Sequence, residues 1–169
     1  LNGLIFKFND NQISYRIQGT YYKEDDYSFR NNCKTCEEVN GNFKEFSLKI
    51  GFEKNIIYGA VQPFWGADFG SKMITFDGTA YDVTSGGKLY DVTVEKNGAV
   101  IYPFLGLKAN FFSGQLTLSA EAGLDILFSN DKEVKTYAEN SFTQDDFYRW
   151  GFYNKPLGML SIQYNFGEN

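Results

Sequence analysis

Cys33-Lys34-Thr35-Cys36 separates two thiols by two residues, the spacing of a redox pair or of half a metal site. These are the only cysteines, and the chain has no histidine. A structural zinc site takes about four nitrogen or sulfur ligands, so the pair is half of one. Thioredoxin-like chemistry sits in a βαβ setting, and no helix-period segment of useful length occurs in this chain. In an oxidising compartment the pair reads as a local disulfide; redox activity and free thiols are the other readings. Without histidine, Ser-His-Asp and Cys-His catalysis are closed to this chain.

Carboxylates remain as acid–base candidates. Glu121 and Asp125 recur along one segment at even spacing, as do Glu45, Lys49 and Glu53 along another. Period-2 alternation places these on one face with Lys7, Arg16, Asp68 and Lys108. Opposite charges gathered on one face read as mutual ion pairing more than as proton transfer. The acidic clusters Glu24-Asp25-Asp26, Glu37-Glu38 and Asp145-Asp146 lack the ligand spacing of a calcium loop. We expect no metal, no cofactor and no enzymatic activity.

Strands must position these charges. Aromatics make up 18 % of the chain, with 17 Phe, 12 Tyr and 17 Gly against three Pro, and aromatics suit pleated surfaces while Gly suits tight turns. The alternation predicts seven strands: residues 3–8, 12–22, 44–53, 56–69, 99–112, 115–128 and 156–166. Residues 23–42 and 129–154 read as polar connections, and 73–83 with 88–95 as a hairpin extending past the sheet. Gln62-Pro63-Phe64-Trp65-Gly66 is echoed by Tyr102-Pro103-Phe104-Leu105-Gly106. A proline forgoes a ladder hydrogen bond, which predicts a bulge or irregularity at each.

Four segments end in Phe just before a tight turn or the terminus: 4–8, 46–52, 101–112 and 160–166. Connections between strands alternate short and long. Rings at the ends of alternating strands, short turns on one side and long loops on the other predict an all-β, antiparallel, up-and-down transmembrane β-barrel. Phe8, Phe52, Trp65, Phe69, Phe111, Phe128 and Phe166 are its expected rim aromatics. Leu116, Leu118, Leu124, Ile162 and Phe166 should face lipid, and Arg16, Lys49, Glu121 and Gln163 should face inward. The run 147–153, with five rings, has three possible placements: over the barrel mouth, in the outer leaflet, or against a partner.

An antiparallel ring needs an even number of strands. Seven within residues 1–169, a single domain, therefore predict an eighth strand upstream. The sequence opens on Leu1 with no signal peptide, which reads as mature or truncated. No run approaches the ~18 apolar residues of a membrane-spanning helix. The net charge of −5, with no basic stripe, excludes nucleic acid as an expected partner.

Gly3-Leu4-Ile5-Phe6-Lys7-Phe8-Asn9-Asp10-Asn11 followed by Ile13-Ser14-Tyr15-Arg16 resembles the start of small outer-membrane β-barrels of Gram-negative bacteria. The likeness is to the "outer membrane beta-barrel" or porin-family proteins of Bacteroidota, with the architecture of OmpA and OmpX. Residues 62–68 and 160–166 fit the same pattern, and the tail Gly167-Glu168-Asn169 departs from it. The resemblance implies a cell outer-membrane location and contact with lipid and lipopolysaccharide. It implies no single activity. The reading is a non-enzymatic structural or accessory barrel, as a subunit docked to a larger outer-membrane complex. The alternatives are a narrow pore and a soluble lipocalin-type barrel, in which the two faces would invert.

Overall fold

Seven strands follow one another as hairpins in a single antiparallel sheet, ordered β1 to β7. They are β1 (Gly3–Asp10), β2 (Ile13–Arg30), β3 (Glu37–Asn55), β4 (Val61–Asp82), β5 (Lys88–Phe111), β6 (Leu116–Tyr137) and β7 (Phe142–Tyr164). The structure, a computed structural model, describes residues 2–10, 13–30, 37–112, 115–137 and 142–166. Cys33 and Cys36 lie outside them. The sheet rolls until β2 reaches β6, where Arg16 binds Glu121. It does not close, because no register joins β1 to β7. An opening of about 1710 Å³, lined by both of those edges, runs into the concave interior.

The strands outrun the sequence expectation. Residues 23–30 and 37–42, expected as a polar connection, continue β2 and β3 and pair with each other. Likewise 129–137 and 142–154 are the paired ends of β6 and β7. The hairpin 73–83 with 88–95 is continuous with β4 and β5. β4 starts at Val61; residues 56–60 form a turn in which the Ile56 amide donates to the Pro63 carbonyl at 2.8 Å.

The reason for the longer strands is a change of face. On β4 the outward side chains run Val61, Trp65, Phe69 and Met73, then Thr75, Asp77 and Thr79. The inward ones run Gln62, Asp68 and Lys72, then Ile74, Phe76 and Ala80. The same switch crosses the sheet in register. Tyr21, Phe46, Met73 and Asn97 form one outward row, and Lys23, Lys44, Thr75, Glu95 and Lys132 the row above it. Below the switch the sheet is apolar outside; above it, β2 to β5 are apolar inside. A pattern that follows one face alone ends at the switch, although ladder pairing continues through it.

The β4–β5 turn is built from Asp82. Its carboxylate accepts from the amides of Thr84 and Ser85 at 2.8 and 2.7 Å, and Gly86 supplies the positive φ of 68°. The Ser85 and Thr84 amides hold the Asp82 carboxyl below its ordinary range. Neither Pro63 nor Pro103 shifts the register. Pro63 lies beyond the last β3 pair, and the β5–β6 ladder skips Tyr102 and Pro103 before resuming in register. Register shifts fall elsewhere: at Glu24/Tyr27 on β2, at Ala80/Tyr81 on β4, and between β6 and β7, where Pro156, Leu157 and Gly158 stand against Ala122 alone.

Candidate functional site

The centre of the concave face is Arg16 on β2, 1 % exposed. Its Nη1 and Nη2 donate to Glu121 Oε2 and Oε1, both at 2.9 Å, a two-point grip that fits the planar guanidinium. Nη2 also donates to Asp68 at 2.9 Å and to Gln18 at 3.2 Å, and Nη1 lies 3.5 Å from Glu53. The Phe104 ring lies 4.2 Å from the guanidinium carbon. Glu53 in turn accepts from Lys7 at 2.6 Å and Lys108 at 2.8 Å. A second node centres on Lys72, which holds Asp125 and Glu45 at 2.9 Å each.

Charges taken out of water cost several kcal/mol apiece unless paired and hydrogen-bonded. Here the pairs join β1 to β3, β2 to β4 and β6, β3 to β5, and β4 to β6. These bonds reach past the adjacent strand, while Lys72–Glu45 and Arg16–Glu53 join neighbours, so the network fixes the roll of the sheet. Lys49 makes no ion pair among the described residues; its Nζ stands 4.2 Å from the centre of the Tyr102 ring. Among the described residues, no three Cys, Asp or Glu side chains stand where they could hold a metal ion.

Three inward aromatics, Phe64, Tyr102 and Phe104, fill space beside the charges. The two Pro-Phe segments pair with each other, Phe64 with Gly106 and Gly66 with Phe104. Each Phe ring thus lies over the glycine of the other segment. A Cβ on Gly66 would overlap the Phe104 ring, and one on Gly106 the Phe64 ring. The echo in the sequence is a reciprocal packing unit. Its signal was the shared Phe-x-Gly spacing read together with antiparallel pairing.

The structure brings all nine sequence-predicted charges, Lys7, Arg16, Glu45, Lys49, Glu53, Asp68, Lys108, Glu121 and Asp125, to the concave side. Sequence reasoning missed Lys72, because strand 4 was ended at Phe69. Carrying the even-numbered alternation from Asp68 onward would have found it. Higher on the same side, Asp131 meets Lys96 at 3.2 Å and Arg149 at 2.5 Å.

The aromatics expected at the rim all lie on the convex face. Phe52 and Trp65 meet edge to face at 5.7 Å. Phe8 and Phe111 lie toward the short-turn ends of their strands, and Phe166 just past β7. Phe69 pairs with Ile50 and Ile101, inside the apolar run and not at its end. Phe128 contacts Tyr148 at 5.9 Å and Trp150 at 4.9 Å. The run 147–153 is therefore a strand that sends Tyr148, Trp150 and Phe152 outward, not a loop over the mouth. In the upper hairpins Tyr90 donates to Glu37 at 2.6 Å; burial, then that bond, pushes the phenol up to about 12.

No family model, no curated protein and no solved structure matches this chain.

Proposed function

We propose that the chain is a transmembrane β-barrel of an outer membrane, a non-enzymatic structural or accessory component docked to a larger membrane complex. The observation that carries this is the inverted burial. Arg16, Glu53 and Asp68 are 1 % exposed, whereas Ile162 is 76 %, Leu160 69 % and Leu105 65 % exposed. A protein in water rarely leaves a contiguous apolar patch beyond a few hundred Å². This chain surrounds itself with one. A lipocalin-type barrel would place those side chains inside. The outward apolar run of β6, from Leu116 to Phe128, is long enough for a bilayer. At about 3.3 Å per residue and a tilt near 40°, it spans roughly 30 Å.

β1 and β7 run the same way in an otherwise antiparallel sheet. Joining them directly would make the one parallel pair, so an eighth strand between them closes the ring. With ion pairs across the interior, the closed barrel is a plugged one.

Fractionation of native membranes tests the location. The protein should stay with the membrane through alkaline wash and come off only in detergent; recovery in the wash would sink the reading. Planar-bilayer recording tests the plug. Stable conductance at porin level would replace the accessory reading with that of a pore.

A further inference from the structure

We propose that Lys49, Tyr102 and Lys155 form a binding site for a small, singly charged carboxylate in the concave interior. All three line the same cavity. Tyr102 is 3 % exposed, and its buried hydroxyl has no hydrogen-bond partner among the described residues. Lys49, 9 % exposed, has neither an ion pair nor a side-chain hydrogen bond among them; its Nζ stands 4.2 Å from the centre of the Tyr102 ring. Lys155, half-buried on β7, has neither as well. The other interior cations below the outward row of Tyr21, Phe46 and Met73 are each met by a carboxylate. Glu53 holds Lys7 and Lys108, Glu121 and Asp68 hold Arg16, and Asp125 and Glu45 hold Lys72.

Glycines and a bulge make the place. The Tyr102 side chain reaches from β5 past β6 to β7. Its ring lies over Gly123 and its hydroxyl abuts Gly158, so a Cβ at either glycine would overlap it. Lys155 is the pairing partner of Gly123, and its Cβ lies 3.3 Å from the side-chain position of Gly158. β7 bulges at this point, with Pro156, Leu157 and Gly158 against Ala122. Bulges recur beside functional sites because they re-aim side chains. A buried hydroxyl left unbonded is costly, and native proteins keep few of them.

The donors name the ligand's chemistry. An ammonium donates and cannot accept, and a Tyr hydroxyl can donate as well. Three donors around one ring recognise an acceptor, and two of them carry positive charge, so the acceptor is an anion. Its charge follows from the interior's own balance. The cations Lys7, Arg16, Lys49, Lys72, Lys108 and Lys155 outnumber the carboxylates Glu45, Glu53, Asp68, Glu121 and Asp125 by one. A single carboxylate restores neutrality, and its two oxygens can take donors from separate sides. A phosphate, at about −1.5 to −2, overshoots. The interior is then a receptor as well as a filling.

The test titrates the full chain in mild detergent with carbon-13-labelled acetate at constant ionic strength, followed by NMR line broadening. Acetate should saturate one site per chain. Tyr102→Phe and Lys49→Met should each weaken it about tenfold or more, and Lys155→Met less. Lys44→Met, on the exposed outer face of β3, should leave it unchanged. Melting without acetate separates binding from folding. Tyr102→Phe keeps the ring and removes an unbonded hydroxyl, so it should melt at or above the wild-type temperature. A lower melting temperature would mark the hydroxyl as bonded within the protein and overturn the proposal. Failure to saturate, or wild-type affinity in Tyr102→Phe, overturns it too. Equal affinity for chloride or inorganic phosphate overturns the assignment to a carboxylate. Each of these outcomes leaves the membrane reading standing, since fractionation tests that separately.

Discussion

Below the row of Tyr21, Phe46 and Met73, the sheet hides charge and exposes hydrocarbon. Above it, strands β2 to β5 do the opposite. Ala80, Tyr90 and Val92 are buried together with Val39, Phe76 and Val94 against them, while Asp77, Asp91 and Glu95 face out. Ladder pairing continues from one region into the other, unbroken between β3 and β4, so hydrogen bonding cannot account for the difference. What changes is the medium each face is matched to. The lower section suits an apolar surround with a polar centre, and the upper section suits water around a small apolar centre. β6 departs from this symmetry. Its upper inward residues Asp131, Glu133 and Lys135 stay charged, so the upper core is built on one side of the roll.

The most damaging way to break the comparison is to remove the charge at the centre of the lower section. Arg16→Met leaves Glu121 and Asp68 buried without their guanidinium and should cost about 3–5 kcal/mol. Lys96→Met in the upper section leaves Asp131 its contact with Arg149 and should cost under about 1 kcal/mol. Heat-modified mobility on gels after refolding into detergent reads both. Equal losses would mean that the two interiors are not different in kind. Next in size is the outer face. Leu118→Arg near the middle of the apolar band should cost ~2–4 kcal/mol in a bilayer, against about 0.5 kcal/mol for Asn42→Arg on the outward side above it. A tolerated Leu118→Arg would remove the apolar surround from the argument.

The lower section was legible because its alternation keeps one phase. Leu116, Leu118, Thr117, Ser119 and Glu121 declare their faces without any partner in view, and the charged set followed from parity alone. The upper section was half legible. The pieces 73–83 and 88–95 have strand character, yet 23–30 reads as a loop because its outward positions are polar, and 142–154 reads as one although Tyr148, Trp150 and Phe152 share the outward face. The inward rings of the upper β2 and β3, Tyr22, Tyr27 and Phe43, make sense only when packed together, with Tyr27 at 5.8 Å from Phe43 and 6.2 Å from Phe76. That contact joins β2, β3 and β4, which a linear reading of polarity does not see. The prolines were partly legible: Pro103 stands at a gap in the β5–β6 ladder, an irregularity of the kind expected there, whereas the bulge on β7 was not anticipated. Pro63 and Pro103 sit where a ladder bond is absent anyway, so the sheet need not bend around them.

A smaller effect would sharpen the comparison by showing that the upper core is separate. Val92→Ala removes about two buried carbons' worth of transfer free energy, roughly 1–2 kcal/mol. Hydrogen exchange should then speed up for amides of the upper β3, β4 and β5 and stay unchanged in the lower ladder, because local openings follow local packing. Acceleration across both sections would show a single cooperative unit.

The smallest expected effect belongs to Tyr90, whose hydroxyl ties β5 across β4 to Glu37. Burial, then the bond to Glu37, raises its phenol from an ordinary value near 10 to about 12 in the folded protein. The raised value means the folded state holds its proton after the unfolded state has begun to lose it. The bond's contribution is therefore complete below about pH 10 and disappears as the pH rises through about 12. Tyr90→Phe should cost about 1 kcal/mol at neutral pH. Its melting temperature should then converge on that of the wild type between about pH 10 and 12, since by then the wild type has lost the same term. A gap that persists at high pH would mean that the loss does not come from the protonated hydroxyl's bond to Glu37, and the tie between β5 and β3 would have no part in holding the upper hairpins together.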